Sequence, residues 1–172
     1  MLITDHVYPQ PELPHDIEIQ VLAFMRIVWS DVFSNGENRF RERLHESPGA
    51  VHFVRSAGAL LVSHVKVQPV EARAGDHLLR IAAVGGVMTY PQFRGEGHAT
   101  ALLRRAADHA GSFDIGMLFC DPETVAFYER LEWRVLAPGR VMVKGAAPEH
   151  DRIMVLGESS VLPPALQVDR SW

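Results

Sequence analysis

The chain has 172 residues, of which 47% are hydrophobic and 22% charged, and its formal net charge is −4. That length makes one ordinary domain with a real core, and the composition fits neither a disordered nor a membrane class. The acidic balance argues against a nucleic-acid partner, which needs a concentrated basic face, and is compatible with a cationic substrate. Cys120 is the one cysteine, so no internal disulfide is expected. No apolar run reaches the roughly 18 residues of a transmembrane helix. The opening MLITDHVYPQPELP lacks a basic region followed by an apolar run, so it does not read as a signal peptide. The expected compartment is the cytoplasm, with no membrane partner.

Residues 7–14 carry three prolines and read as part of an irregular N-terminal arm over 1–14. From Asp16, a candidate N-cap, Ile17, Val21, Leu22, Met25, Val28, Trp29 and Val32 fall on one helical stripe. SNGEN (34–38) breaks it, a short polar helix is expected up to Glu46, and SPGA (47–50) is a turn. VHFVR (51–55) reads as a strand, SAG (56–58) as a hairpin loop, and ALLVSHVKV (59–67) as a second strand rich in β-branched residues. After a turn at 72–76, residues 77–89 form a long strand with two internal glycines. YPQFRGEG (90–97) breaks the chain before a helix in which Ala101, Leu102, Ala106 and His109 recur, closed by Gly111.

IGMLFC (115–120) suits a buried strand, and residues 121–131 open a helix with Asp121 as N-cap and Pro122 in the first turn. WRVLA and VMVKG are expected to pair across PGR (138–140), IMVLG (153–157) is a further strand, and 158–172 is a proline-broken tail. The order is helices, an antiparallel strand group, then strand–helix–strand–helix–strand. That order predicts one α/β domain with a mixed sheet over 1–172.

The stretch that points to chemistry is Arg94-Gly95-Glu96-Gly97-His98-Ala99, between a strand and a helix. Glycines let the backbone turn tightly and present bare N–H groups. The helix that follows adds its free N-terminal donors and the positive end of its dipole, which together suit phosphate oxygens. The loop lacks the Gly-Lys-Ser/Thr ending of a nucleotide P-loop, and its place after several antiparallel strands argues against a Rossmann dinucleotide domain.

On these residues the chain resembles the GNAT superfamily of N-acetyltransferases. Arg94, Gly97 and Ala99 fill the fixed positions of that family's Gln/Arg-x-x-Gly-x-Gly/Ala segment, and TVAFYERLEW is similar to its second signature. The resemblance implies a central, mostly antiparallel sheet splayed at the cofactor site and flanked by helices. ALLVSHVKV, the strand ending GGV, the glycine loop, FYERLEW and a tail ending in an Asp and a Trp together look like the aminoglycoside 2′-N-acetyltransferases. Two departures stand out: Gly85 occupies the place of an acidic residue that is a candidate base there, and Glu132 replaces the usual glycine, which calls for a different helix end.

The resemblance implies that acetyl-CoA gives its acetyl group directly to a bound amine, without a covalent enzyme intermediate. Met88, Thr89, Arg94, Gly95, Glu96, Gly97, His98 and Ala99 are the expected cofactor-binding residues. The Met88 backbone N–H is expected to face the thioester oxygen, and Tyr128 to protonate the leaving thiolate. Tyr128 alone would read as a core residue of an amphipathic helix. Asp151, Asp169 and Trp172 are expected to bind the substrate. Candidates for the base are Asp151, Asp169, the Trp172 carboxylate and His64, each with a plainer structural reading. At His98 the backbone N–H is expected to matter rather than the imidazole. The nine histidines show no metal spacing, so no metal is expected, and Cys120 reads as a small core residue. The expected partners are acetyl-CoA and a small amine acceptor, with a homodimer left open. A protein or peptide N-acetyltransferase and a non-catalytic acetyl-CoA sensor are the alternatives.

Overall fold

A computed structural model describes residues 2–30, 48–143, 152–157 and 165–168. It divides into two units, Met1–Gln68 with Gly86–Ala106, and Pro69–Gly85 with Ala107–Trp172. The fold is mixed α/β, a mostly antiparallel sheet flanked by helices, as the sequence predicts.

The first unit holds β1 (Ile3–Pro9), α1 (His15–Val28), β2 (Val51–Ala57), the start of β3 (Leu60–Ala74), the end of β4 (His77–Thr89) and the first turns of α2 (His98–Ala110). The expected irregular arm over 1–14 is corrected: Ile3–Pro9 is a strand and Gln10–Glu12 a short 3-10 turn. β1 pairs antiparallel with β2, from Ile3↔Ala57 to Pro9↔Val51. Pro9 takes the last place of an edge strand, where a missing N–H is tolerated, and Pro11 falls in the short turn Gln10–Glu12. Asp5 on β1 accepts two hydrogen bonds from Arg55 on β2, at 2.6 and 2.8 Å, and lies 3.5 Å from Arg105 of α2. The Arg55 hydrogen bond is the main cause that holds the Asp5 carboxyl below its usual range.

Helix α1 starts at His15, after Pro14 in the N-cap position, so Asp16 lies in the first turn rather than capping it. It buries Ile17, Val21, Phe24 and Met25, a stripe at helical spacing. Each such side chain removed from water stabilises by about 1.5–3 kcal/mol. Phe24 was absent from the expected stripe, yet it is fully buried and stacks on Tyr90 with ring centroids 4.2 Å apart. Leu22, Val28 and Trp29 sit at the margin of this core, which also contains Val54, Leu61 and Met88. Gln20 ties the helix to the β2–β3 hairpin: its amide N–H donates to the Ala59 carbonyl at 2.9 Å, and its oxygen accepts from the Leu61 N–H at 2.8 Å. Val32, the break at 34–38 and the short helix expected up to Glu46 lie outside the described residues.

The second unit contains the rest of β3, β4 and α2, then β5 (Ile115–Cys120), α3 (Val125–Glu129), β6 (Arg134–Val135), β7 (Val141–Val143), β8 (Arg152–Leu156) and β9 (Leu166–Val168). β3 runs past Pro69, beyond the end expected at 67. Its last pair with β2 is Val51↔Val67 and its first pair with β9 is Ala72↔Val168. Pro69 thus stands where one neighbour has stopped and the next has not begun, so its missing N–H costs no ladder bond on that edge. β4 and β5 pair in parallel from Ile81↔Ile115 to Val84↔Leu118, and the ladder stops before either strand ends.

Three expectations are corrected here. WRVLA and VMVKG do not pair across 138–140: β6 pairs with β8, and β7 pairs in parallel with β9. The tail over 158–172 is not all irregular, because β9 joins β3 and β7 and buries Leu166 and Val168. Asp121 makes no side-chain cap; its carbonyl accepts from the Thr124 hydroxyl at 2.9 Å, and a short turn Pro122–Thr124 precedes α3. Ile81, Ala83, Met117, Val155, Leu166 and Val168 form part of this unit's core.

Candidate functional site

Within the first unit, β4 is reshaped at Gly86, whose φ of 59° lies in the left-handed region. A Cβ there would meet His64 Cε1 at 3.2 Å and Nδ1 at 3.3 Å. Glycine is therefore required both by the backbone and by the imidazole in front of it. Two side chains of β3 then hold β4: His64 Nδ1 lies 2.8 Å from the Gly86 carbonyl, and the Ser63 hydroxyl donates to the Met88 carbonyl at 2.7 Å. Ser63 also meets the Thr89 hydroxyl at 2.9 Å, and the Tyr90 N–H donates to the Val62 carbonyl at 3.0 Å.

These bonds bear on the expected oxyanion donor. In an extended strand the N–H and C=O of one residue point to the same edge, and successive residues alternate. Met88 and Tyr90 face β3, so the N–H groups on the other edge belong to Val87 and Thr89. The geometry thus turns the Met88 N–H toward β3 and the Val87 N–H toward the opposite edge of β4. The Met88 side chain is buried in the α1 core.

His64, one candidate base, is fully buried. Burial is the main cause that pushes its pKa down to about 4, with Lys66 acting in the same direction and the Gly86 hydrogen bond opposing them. Its Nε2 is 2.9 Å from His52 Nδ1. Both ring nitrogens are engaged in the interior, so His64 is removed from the list of bases.

The glycine segment lies where it was expected. Gly95 and Gly97 have φ of 83° and 79°, and a Cβ on either would meet no atom within 4 Å, so the turn is open on that side. The Ala101 N–H donates to the Gly97 carbonyl at 3.0 Å, so the helix N–H groups before it have no partner four residues back. Arg94 Nε–H donates to the Thr89 carbonyl at 3.1 Å and braces the loop against the end of β4. The His98 imidazole has a structural part beyond the backbone role expected of it: its Nε2 lies 3.1 Å from Glu96 Oε2 and its Nδ1 3.4 Å from Arg55 Nη1. Arg55 can only donate and the carboxylate only accept, which fixes the Nε2–H tautomer. The edge of the His98 ring rests on Phe93.

Tyr128 belongs to the second unit, on α3. Burial, then the neighbouring Cys120 and Asp121, pushes its phenol above the usual value. This phenol thus holds its proton more tightly than an ordinary one, whose pKa lies near that of a thiol. The different helix end expected at Glu132 is corrected too. The Trp133 N–H reaches the Tyr128 carbonyl at 3.3 Å and the Glu132 N–H the Glu129 carbonyl at 3.1 Å. That is a Schellman end, and Glu132 takes the usual glycine's place with φ of 67°. The hydrophobic contact of such an end is Trp133 against Tyr128, ring centroids 6.5 Å apart. Trp133 also packs on Gly116, where a Cβ would lie 3.4 Å from its Cη2.

Gly85 is half-buried within β4, and Cys120 is buried and reduced at the end of β5. Asp151, Asp169 and Trp172 lie outside the described residues. Among the described residues no three His, Cys, Asp or Glu side chains group to hold a metal, and no helix is long and apolar enough to cross a membrane. Sequence reasoning missed Ser63, His52, Gly86 and Val87. A hairpin at Gly58 brings His52 and His64 onto one face, but only after the bulge between Arg55 and Ser56 sets the register. The sequence carried no sign of that bulge.

The family profile described as "Acetyltransferase (GNAT) domain" matches residues 13–136. No curated protein matches the chain. Among solved structures, an acyl-CoA N-acyltransferase from Pseudomonas aeruginosa superposes with a TM-score of 0.66 at 14% identity, covering 91% of this chain and 100% of its own. An aminoglycoside 6′-N-acetyltransferase complexed with coenzyme A gives 0.65 at 13% identity, over 91% and 96% of the two chains. A GNAT-family acetyltransferase from Staphylococcus aureus Mu50 gives 0.65 at 11%, over 90% and 98%. At such identities these likenesses show the fold.

Proposed function

Because the chain belongs to the GNAT acetyltransferase family, and is thus an acetyl-CoA-dependent N-acetyltransferase, we propose that its acceptor is a primary amine of a small cationic molecule, such as an amino sugar. The observation that carries the placement of acetyl-CoA is the open Gly95-Glu96-Gly97 turn leading into the N-terminus of α2. The pyrophosphate accepts from the backbone N–H groups of 95–99. The pantetheine arm and thioester lie along the edge of β4 that faces away from β3, where the Val87 N–H meets the thioester oxygen and the Thr89 N–H a pantetheine amide.

The neutral amine attacks the thioester carbonyl carbon, and the oxygen gains negative charge that the Val87 N–H stabilises. The C–S bond then breaks, the thiolate takes a proton from Tyr128, and the new amide loses one to solvent or a carboxylate. Tyr128 is reprotonated from water, so the products are the N-acetyl acceptor and free coenzyme A. Tyr128 is in its acid form throughout the neutral range, as any phenol is, and the burial that raises its pKa makes it a weaker donor, so the transfer relies on the basicity of the leaving thiolate.

The acceptor class is supported by the formal net charge of −4, and by the aminoglycoside 6′-N-acetyltransferase that shares the fold. Asp151, Asp169 and Trp172 are the residues proposed to hold the acceptor's ammonium groups. A thiol-release screen across polyamines, aminoglycosides, monoamines and peptides tests this. Multivalent amines are expected to react fastest, and deletion of 169–172 to raise their KM with coenzyme A binding unchanged. Preference for peptides would replace the small-molecule reading, and coenzyme A binding without thiol release for any class of acceptor would leave a sensor.

A further inference from the structure

The hydrogen bonds behind β4 form a chain whose direction can be worked out. The Gly86 carbonyl only accepts, so His64 Nδ1 carries the proton and donates to it across 2.8 Å. His64 is neutral, so its Nε2 is bare and accepts from His52 Nδ1–H across 2.9 Å. His52 Nε2 lies 2.8 Å from the Gln10 side-chain amide, which holds the ring in place. The two imidazole donors that set the chain point the same way: His52 to His64, and His64 to the Gly86 carbonyl. Both imidazoles are fully buried.

The Gly86 carbonyl and the Val87 N–H belong to one planar trans peptide unit, in which they point in opposite directions. A donor bound to the oxygen draws electron density from the nitrogen and strengthens the N–H on the far side, by about 10–30% per bond in condensed-phase estimates. The next carbonyl on the same edge, that of Met88, is held by Ser63 at 2.7 Å. The peptide unit bearing the Val87 N–H is thus fixed at its own oxygen and again one residue beyond.

We propose that His64, backed by His52, is a positioning residue for acyl transfer: it anchors and polarises the Gly86–Val87 peptide unit so that the Val87 N–H is aimed at the thioester oxygen. This rests on the function proposed above. The chain of donors explains why two histidines occupy a buried face of β2 and β3 where aliphatic residues would pack as well. It also explains why position 86 is glycine, since a Cβ there would meet the anchoring ring.

The test uses the whole chain and acetyl-CoA labelled with carbon-13 at the thioester carbonyl. Binding to the unaltered protein is expected to lower the carbonyl stretching frequency, as a hydrogen-bonded oxygen requires. His64→Leu removes the anchor: the shift should shrink, and kcat with the best amine of the screen should fall about tenfold, less than the 10²–10³ of an oxyanion donor lost outright. The coenzyme A dissociation constant should stay within twofold. His64→Asn places an amide nitrogen where Nδ1 stood and should restore the shift and most of the rate. His64→Gln places its nitrogen nearer the Nε2 position and should not. That Asn–Gln contrast decides the matter even if the Leu variant does not fold. An unaltered shift and rate in His64→Leu, or equal behaviour of the Asn and Gln variants, would overturn the inference while leaving the transferase reading standing. No carbonyl shift and no thiol release in the unaltered protein would instead overturn the functional reading beneath it.

Discussion

The buried His64 makes stability depend on pH in a calculable way. In the folded protein burial holds its pKa at about 4, against the 6.5 of an ordinary histidine, which the unfolded chain regains. Between those values the unfolded state binds a proton that the folded state refuses, so stability falls as pH falls. The contribution is fully present above about pH 6.5, is eroded as pH drops through the window, and levels off below about pH 4. Integrated over that window the loss is roughly 3 kcal/mol, of which about 2 kcal/mol is gone by pH 5. Burial sets the window, with the charge of Lys66 acting in the same direction and the hydrogen bond to the Gly86 carbonyl opposing both; His52 faces the ring at Nε2. Urea unfolding at pH 7 and pH 5, on the parent and on His64→Asn, isolates the contribution, because asparagine does not titrate. The parent is expected to lose about 2 kcal/mol more than the variant between the two pH values, or about 4–8 °C in Tm for a chain of this size. Parallel pH profiles would refute the buried neutral imidazole, and with it the direction assigned to the donor chain.

Three further outcomes are expected. Glu132→Gly relieves a left-handed residue and should raise stability by about 1 kcal/mol in chemical denaturation; no gain would mean that the Glu132 side chain offsets the strain. Gly97→Glu should abolish the rise in Tm that coenzyme A gives the parent, through a strained φ of 79° and a negative charge facing phosphate rather than through a clash within the protein. Tyr128→Phe should lower kcat by about 10²–10⁴-fold while coenzyme A affinity, measured by calorimetry, barely moves. Equal turnover would return Tyr128 to a packing role beside Trp133.

Of the candidate site, the sequence revealed the parts built by neighbours along the chain. The two glycines of the loop, the helix start behind them and the aromatic pair of FYERLEW all depend on residues within a few positions of each other. The network that holds β4 is different in kind. His52, His64, Gly86 and Gln10 come from four segments and meet only when two hairpins take their register. Read singly, His64 looked like a candidate base; its partners show that both nitrogens are already engaged.

The same division runs through the fold. β4 and β5 were legible to the residue because a long β-rich run and a short apolar run, each bounded by turn residues, leave little choice of conformation. The helix after the glycine loop was legible because its phosphate-ready start and closing Gly111 are local signals. What only the tertiary structure decided were the elements whose stabilisation comes from distant partners. Ile3–Pro9 becomes a strand because β2 offers it a ladder, although Pro9 and the two prolines that follow it read as an irregular arm. Leu166–Val168 is a strand because β3 and β7 flank it. Arg134 pairs with β8 rather than across its own turn. Glu132 takes the conformation of a glycine because the Trp133–Tyr128 contact and two carbonyl bonds at the helix end outweigh the roughly 1–2 kcal/mol that a left-handed residue costs. Local propensities span about 1 kcal/mol per residue, and a ladder or a packed aromatic pair contributes as much or more, so where the two disagree the long-range contact sets the outcome.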